Sequence, residues 1–97
     1  MLSLQDPALL RADAYVNGNW LAADSGERFA VGNPATGEAL AQVPRMAAAE
    51  TQRAIDAAQA ALPGWRAKTA AERGKLLRKW YELMLQHQND LAAILTA

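Results

Sequence analysis

The sequence predicts an α+β fold in which a short antiparallel β meander precedes two or three helices. Turn-forming residue pairs are dense from Ala14 to Pro44, where they separate short apolar runs. From Ala48 onward such pairs become rare, and apolar residues recur at helical spacing in an alanine-rich background. A chain of 97 residues holds one domain at most. Its expected parts are an arm at 1–13, the meander at 14–44, helix A at 48–62, helix B at 69–88 and the start of helix C at 90–97.

The meander is predicted to contain three or four short strands. Asn17-Gly18 lies between two apolar runs, and both central residues of a type I′ hairpin turn need positive φ. Phe29 and Val31 alternate with small or polar neighbours, as in a strand that is wet on one face. Because Pro34 and Pro44 cannot donate to a ladder, we expect edge or peripheral strands.

Helix A is expected to end before Pro63-Gly64, because a proline in a helix interior removes a backbone hydrogen bond. Its start is weak, since Ala47 stands where Ser, Thr or Asp would cap the helix. Glu50 nevertheless lies favourably in the first turn, near the positive end of the helix dipole. The apolar positions allow close approach to another element but contribute little burial energy: Ala54, Ile55, Ala58 and Leu62.

Helix B begins with a stronger signal, because Thr69 and Glu72 have the spacing of a capping box. A broad apolar stripe follows: Leu76, Leu77, Trp80, Leu83, Met84, Leu91, Ile94 and Leu95. The cap-type residues Asn89 and Asp90 interrupt the stripe, so we expect a break there and a third helix from about Asp90. That helix reaches Ala97 without an ending signal, which we interpret as truncation.

Composition argues against several classes of function. Ten basic side chains balance ten acidic ones, so the chain has no net field to hold nucleic acid or an anionic membrane. The absence of cysteine removes a disulfide scaffold, a thiolate nucleophile and a cysteine metal site. No segment has the pattern of a targeting signal, and no apolar run approaches the ~20 residues of a membrane-spanning helix. We therefore expect a cytoplasmic protein without nucleic-acid or membrane partners.

Candidate catalytic residues are few. Ser25, His87 and Asp90 have the residue types of a catalytic triad, but Ser25 lies in a turn without the context of a nucleophile elbow. We interpret His87 as a partly exposed helical histidine. One histidine near one aspartate does not supply the ligands of a metal site, and the six glycines are too scattered to form a phosphate-binding loop. We therefore assign no catalytic, cofactor-binding or metal-binding residue.

A local basic run lies on helix B: Arg73, Lys75, Arg78 and Lys79. One interpretation is contact with RNA or phosphate, because Trp80 and Tyr81 follow. We favour a solvated or subunit-facing helix surface, since Glu82 is placed to pair with Arg78 at i+4. The tryptophans are interpreted as packing residues: Trp20, Trp65 and Trp80.

Several segments occur in a recognisable order: Tyr15-Val16-Asn17-Gly18-Asn19-Trp20, Asn33-Pro34-Ala35-Thr36-Gly37-Glu38, Ala54-Ile55-Asp56-Ala57-Ala58, Leu62-Pro63-Gly64-Trp65-Arg66 and Thr69 through Arg73. From about Leu9 to Ala97 the chain resembles the amino-terminal region of the aldehyde dehydrogenase superfamily. The segments Leu62 to Arg66 and His87 to Ala92 look most like the bacterial succinate-semialdehyde dehydrogenase subfamily.

The resemblance implies a longer α/β protein with a Rossmann-like coenzyme domain, a catalytic domain and an oligomerisation hairpin. This chain would be the amino-terminal part of the coenzyme domain, with the remainder of that domain as its partner, and the full-length protein would be a homo-oligomer. The implied activity is NAD(P)-dependent oxidation of a small aldehyde, with succinic semialdehyde oxidised to succinate. NADP or NAD would serve the full-length protein, and neither is expected to bind this fragment alone.

In the family, a cysteine thiolate attacks the aldehyde, hydride passes to NAD(P)⁺ and a glutamate activates water. None of these groups is identified in this chain, so the fragment alone is expected to be inactive. Another aldehyde dehydrogenase subfamily is the alternative to the succinic semialdehyde enzyme. A hypothesis of a different class is a stand-alone helical interaction module, which would bind a partner or itself through an apolar stripe: Leu83, Leu91, Ile94 and Leu95.

Overall fold

A computed structural model of the chain describes residues 2–97, so Met1 of the expected arm lies outside the described residues. The α+β class predicted from the sequence is confirmed. The elements in chain order are a 3-10 turn at Pro7–Leu9, strands β1 (Ala14–Val16), β2 (Asn19–Leu21), β3 (Arg28–Gly32) and β4 (Ala39–Pro44), and helices α1 (Ala48–Ala67), α2 (Ala70–Gln86) and α3 (Gln88–Thr96).

The four strands form two separate antiparallel pairs, β1 with β2 and β3 with β4, where the sequence predicted one meander. In the first pair Val16 lies opposite Asn19, so a two-residue turn joins the strands. Asn17 and Gly18 have φ of 51° and 80°, which confirms the positive φ expected at both central positions. Each pair is thus an independent hairpin closed by its own turn, and no described strand pairs with both hairpins.

A turn organised by Asn33 closes the second hairpin. The Asn33 side-chain oxygen accepts the Ala35 N–H at 2.9 Å, and its carbonyl oxygen accepts the Gly37 N–H at 2.7 Å. Gly37 has φ 78°, a left-handed conformation that glycine adopts without a steric penalty. The Asn33 N–H then donates to the Glu38 carbonyl oxygen at 2.8 Å, which brings β4 back alongside β3.

Helix α1 extends to Ala67, so the expected end at residue 62 is wrong. Pro63 lies inside the helix and leaves the Gln59 carbonyl oxygen without its usual backbone donor. Both residues are exposed, so solvent is available to that oxygen and the helix is not forced to stop. The chain leaves the helix at Lys68, whose N–H donates to the Trp65 carbonyl oxygen at 3.2 Å.

Glu50 stabilises the start of α1 in place of a polar cap. Its carboxylate accepts the Ala47 N–H at 2.8 Å, and the residue is buried. Helix α2 has the full capping box that the sequence predicts. The Thr69 hydroxyl accepts the Glu72 N–H and the Glu72 carboxylate accepts the Thr69 N–H, each at 3.1 Å.

The break between the last two helices lies at His87, earlier than the expected position at Asn89 and Asp90. His87 leaves the helical region, with φ −107° and ψ 21°, so helix B ends at Gln86 and not at 88. Asp90 consequently lies within the first turn of α3 and not before it. Its carboxylate accepts N–H groups of the amino-terminal arm and does not act as the cap of α3.

Polar tethers, in place of an apolar core, join distant segments of the chain. Arg53 of α1 pairs with Asp24 at 2.6 Å, and Arg28 of β3 pairs with Asp13 of the arm at 2.6 Å. The hydrogen bond from Arg53 lowers the pKa of the Asp24 carboxyl below its ordinary value. Side chains in both pairs are at least about one-third exposed, so each pair contributes little to stability.

The described chain has almost no apolar core. Within residues 2–97, Ala23 and Pro44 are the buried apolar residues. The accessible surface is 7563 Å², against about 5,400 Å² for a compact monomer of this mass. The radius of gyration is 16.5 Å, against about 12.5 Å for a compact domain of this length. In the described part of the chain no helix is long and apolar enough to cross a membrane.

Candidate docking surface

The structure does not assemble the residues considered for a catalytic triad. The Ser25 hydroxyl accepts the Glu27 N–H at 3.1 Å in an exposed turn before β3. Asp90 is buried, and its two carboxylate oxygens accept the N–H groups of Gln5 and Asp6, each at 2.9 Å. These bonds, that of Asp6 first, lower the pKa of the Asp90 carboxyl below its ordinary value. Asp90 therefore orients the arm and not His87.

No metal site forms from the described residues. Across 2–97, no group of three His, Cys, Asp or Glu side chains converges closely enough to hold an ion. Asp6, His87 and Asp90 line one polar surface groove, but their side chains do not converge closely enough to hold an ion.

The described residues do not fit the pyrophosphate of a dinucleotide. A dinucleotide site needs a glycine-rich turn between a strand and the amino terminus of a helix. Two glycines with positive φ, Gly18 and Gly37, lie in the hairpin turns, and a third, Gly26, lies in the turn between β2 and β3. The connection from β4 to α1, residues 45–47, contains no glycine. These residues therefore support no reaction step through a coenzyme. The expectation that the coenzyme does not bind this chain alone stays a prediction.

The basic run on α2 is mostly a solvated surface. Arg78 donates to Glu82 at 3.3 Å, which confirms the predicted i,i+4 pair, and its guanidinium lies 5.2 Å from the centre of the Tyr81 ring. Both members of the pair are exposed. Arg73 differs, because its Nε atom is buried and has no hydrogen-bond partner among residues 2–97. Helical spacing places Arg73 within the apolar stripe, one turn before Leu76 and Leu77.

Helices α2 and α3 carry an uncovered apolar face. We name it the docking surface, and it consists of Leu76, Leu77, Trp80, Leu83, Met84 and Leu91. Trp80 is 61% exposed, and the other five side chains are also exposed. Leu9 of the arm joins several of them around a groove of about 320 Å³. A contiguous exposed apolar face of this kind marks an interaction surface.

The stripe considered for an interaction module is also largely uncovered. Leu83, Leu91 and Leu95 are exposed, with Leu95 at 88%, and Ile94 is half-buried. Ile94 lines a second groove of about 270 Å³ with Val31, Val43 and Leu10. Helix α3 thus borders two apolar grooves, one toward α2 and one toward the second hairpin.

The first hairpin lies beside the alanine-rich face of α1. Their groove, about 350 Å³, is lined by the 15–18 turn region and four alanines: Ala54, Ala57, Ala58 and Ala61. The Tyr15 and Trp20 rings pack with centroids 4.9 Å apart, and the Arg11 guanidinium lies 5.0 Å from the centre of the Trp20 ring. Trp20 makes ring contacts within the chain but is 44% exposed, and Trp65 and Trp80 are exposed as well, so the described residues do not bury the tryptophans as the sequence predicts.

Comparison with known proteins shows which family has this architecture. The family model described as "Aldehyde dehydrogenase family" matches residues 20–97. The chain belongs to the aldehyde dehydrogenase family. Members of this family are NAD(P)-dependent oxidoreductases. The resemblance to the aldehyde dehydrogenase superfamily that the sequence indicated is thereby confirmed.

The relatives align with nearly all of this chain, but the chain aligns with only a small share of each relative's length. A 3-sulfolactaldehyde dehydrogenase of Pseudomonas putida is 57% identical over 97 residues, 100% of this chain and 20% of the relative. A glutarate-semialdehyde dehydrogenase of Pseudomonas putida is 55% identical over 95 residues, 98% of this chain and 20% of the relative. The crystal structure of a succinate-semialdehyde dehydrogenase from Burkholderia pseudomallei matches with a TM-score of 0.93 and 58% identity, covering 97% of this chain and 20% of that one. The aldehyde dehydrogenase chain described here thus spans about one-fifth of the length of these relatives.

Proposed function

We propose that this chain is the amino-terminal part of the coenzyme-binding domain of an NAD(P)-dependent aldehyde dehydrogenase. The observation that carries the proposal is the family match over residues 20–97. The full-length enzyme is proposed to be a cytoplasmic homo-oligomer that uses NADP or NAD. Residues 1–97 alone are proposed to be inactive, because the chain contains no cysteine to act as the thiolate nucleophile.

The proposed substrate is succinic semialdehyde, which the enzyme would oxidise to succinate. Three relatives are named for short aldehydes that carry a second, anionic group, which is a carboxylate in two names and a sulfonate in the third. A short aldehyde with a terminal anion is therefore the substrate class that these names share. Glutaric semialdehyde and 3-sulfolactaldehyde are the alternatives within that class.

The role proposed for these 97 residues is structural support of the coenzyme domain. The docking surface would be covered by the remainder of that domain, which is consistent with an accessible surface about 2,200 Å² larger than that of a compact chain. The segment that covers it would supply an acceptor for the buried Nε of Arg73, since a buried donor without a partner is unfavourable. The covering segment is thus expected to be apolar with a carbonyl or carboxylate opposite Arg73.

The first test is to sequence the coding DNA beyond the codon for Ala97 and to express the whole reading frame. Purified protein is assayed for reduced coenzyme with each of the three aldehydes and with NAD or NADP. We expect the highest kcat/KM for succinic semialdehyde. A higher value for glutaric semialdehyde or 3-sulfolactaldehyde would move the protein to another subfamily, and no activity with any aldehyde would refute the proposed reaction. Residues 1–97 expressed alone serve as the control, and activity there would refute the proposed inactivity.

A second candidate function is a stand-alone interaction module, favoured by the exposure of Leu83, Leu91 and Leu95. Light scattering on residues 1–97 distinguishes the two proposals. A folded oligomer of defined mass supports the module, because copies would then cover each other's apolar faces. Polydisperse or unfolded material supports a part of a larger domain.

A further inference from the structure

One buried carboxylate connects the two ends of the chain. Asp90 is 7% exposed, and its Oδ1 and Oδ2 atoms accept the N–H groups of Gln5 and Asp6, each at 2.9 Å. The bonded groups are 85 and 84 residues apart in sequence. Both acceptor atoms of the side chain are therefore used to hold the backbone of the arm.

The arm has local order where Asp90 holds it. The Asp6 carboxylate accepts the Ala8 N–H at 3.1 Å and thereby caps the 3-10 turn Pro7–Leu9. The Leu9 N–H donates to the Asp6 carbonyl oxygen at 3.1 Å, and the Leu10 N–H donates to the Pro7 carbonyl oxygen at 3.2 Å. A short turn thus begins directly at the point of attachment and fixes the direction of the next side chains.

That turn sends two leucines into different grooves. Leu9 lines the groove of the docking surface with Trp80 and Leu91. Leu10 lines the second groove together with side chains of β3, β4 and α3, such as Val31 and Ile94. The arm therefore lies between the helical half and the second hairpin.

We infer that Asp90 is a positioning residue that fastens the arm across the α2–α3 junction and so holds Leu9 and Leu10 in two separate apolar grooves. Through this attachment the arm becomes one wall of the docking surface. The inference concerns the architecture of the chain and does not depend on the proposed substrate.

A carboxylate fits this role better than its isosteric amide. Two neighbouring backbone N–H groups need two acceptor oxygens, and a carboxylate presents both in one plane. Asparagine offers one oxygen, and its NH₂ group would face the other N–H. Alanine offers neither acceptor and leaves two partly buried N–H groups unpaired.

The test uses the full-length protein with Asp90→Asn, Asp90→Ala and the control Asp56→Asn. Asp56 is an exposed aspartate that accepts one side-chain hydrogen bond from Gln52 at 2.9 Å. Site-resolved amide exchange is measured at Gln5 and Asp6 in the arm and across α2. Tryptic release of the peptide that ends at the exposed Arg11 is a second readout of arm detachment.

We expect arm exchange and tryptic release to rise on the order of tenfold or more in Asp90→Ala and less in Asp90→Asn, because each lost charge-assisted hydrogen bond shifts local opening by about that factor. Exchange across α2 and all readouts of Asp56→Asn are expected to match the unchanged protein. Unchanged arm exchange in both Asp90 variants would overturn the inference. An equal increase across α2 in both variants would also overturn it, because the effect would then be global and not a positioning of the arm.

Discussion

Residues 1–97 expressed without further polypeptide are expected not to form a cooperatively folded monomer. The magnitude follows from the surface that the fold leaves open. The chain exposes 7563 Å², about 2,200 Å² more than a compact protein of its mass. About 57% of protein surface is apolar, so about 1,200 Å² of apolar area stays in water. At about 25 cal/mol per Å² this corresponds to about 30 kcal/mol of burial that a compact domain would realise.

That difference exceeds the net stability of a typical domain, about 5–15 kcal/mol. The exposed polar tethers are too weak to offset it, because surface ion pairs contribute about 0–1 kcal/mol each. We therefore expect the isolated chain to give no near-ultraviolet circular dichroism from fixed tryptophans and no sharp urea transition. It should also bind a dye that reports exposed apolar surface.

A monomer with fixed near-ultraviolet signals and a urea slope of about 1 kcal/mol/M or more would refute this reasoning. Sedimentation must accompany the measurement, since a folded oligomer of defined mass would support the interaction module. Two variants examine which face binds the dye. Trp80→Gln should reduce dye binding, because Trp80 is 61% exposed on the docking surface. Lys79→Gln, on the polar face of the same helix, should leave it unchanged.

Further predictions concern single residues of the full-length protein. Thr69→Ala should cost about 1 kcal/mol and speed amide exchange in the first turn of α2, whereas Thr69→Ser should not; equal exchange in both variants would contradict the capping role. Gly18→Ala should lower the unfolding midpoint, because residue 18 has φ 80°. Gly74→Ala should raise the midpoint and add up to about 1 kcal/mol of stability, because the added Cβ meets no atom within 4 Å. A higher midpoint for Gly18→Ala than for Gly74→Ala would contradict both predictions. Folding lowers the pKa of the Asp90 carboxyl. The stability that the ionised carboxylate contributes is therefore present above the unfolded pKa of about 3.9, and it is lost as pH falls through the lower folded pKa. Arm exchange should therefore show no additional opening between about pH 7 and pH 5 after correction for intrinsic rates, and loss of arm protection above pH 5 would contradict this assignment.

Local signals in the sequence predicted the local structure well. The Asn17-Gly18 turn and the Thr69 capping box were predictable because each depends on residues within one turn of the chain. The pairing of Arg78 with Glu82 was predictable for the same reason. The apolar stripe of α2 was also evident, since helical periodicity alone determines which residues share a face.

Features that depend on solvent or on distant residues were not predictable in this way. Pro63 normally marks a helix boundary, but exposure of that turn lets α1 continue to Ala67. Asp90 has the composition of a helix cap, and no local signal connects it with the amide groups of Gln5 and Asp6. The sequence did contain a signal for the buried Nε atom of Arg73. A charged residue within an apolar stripe predicts that its charged group needs a buried hydrogen-bond partner.

The strands are confined to two isolated hairpins, and this arrangement favours aggregation of the isolated chain. In the part of the chain that the structure describes, each of the four strands is paired on one side, so its other side is not satisfied by a neighbouring strand. Unprotected β edges recruit further strands by backbone hydrogen bonding, whether from the same polypeptide or from a neighbouring molecule. Aggregates of the isolated chain should therefore gain intermolecular β-structure seeded at β3 and β4. Infrared spectra of such aggregates should show more strand than the two hairpins contain, and a peptide strand that occupies the edge should suppress the increase.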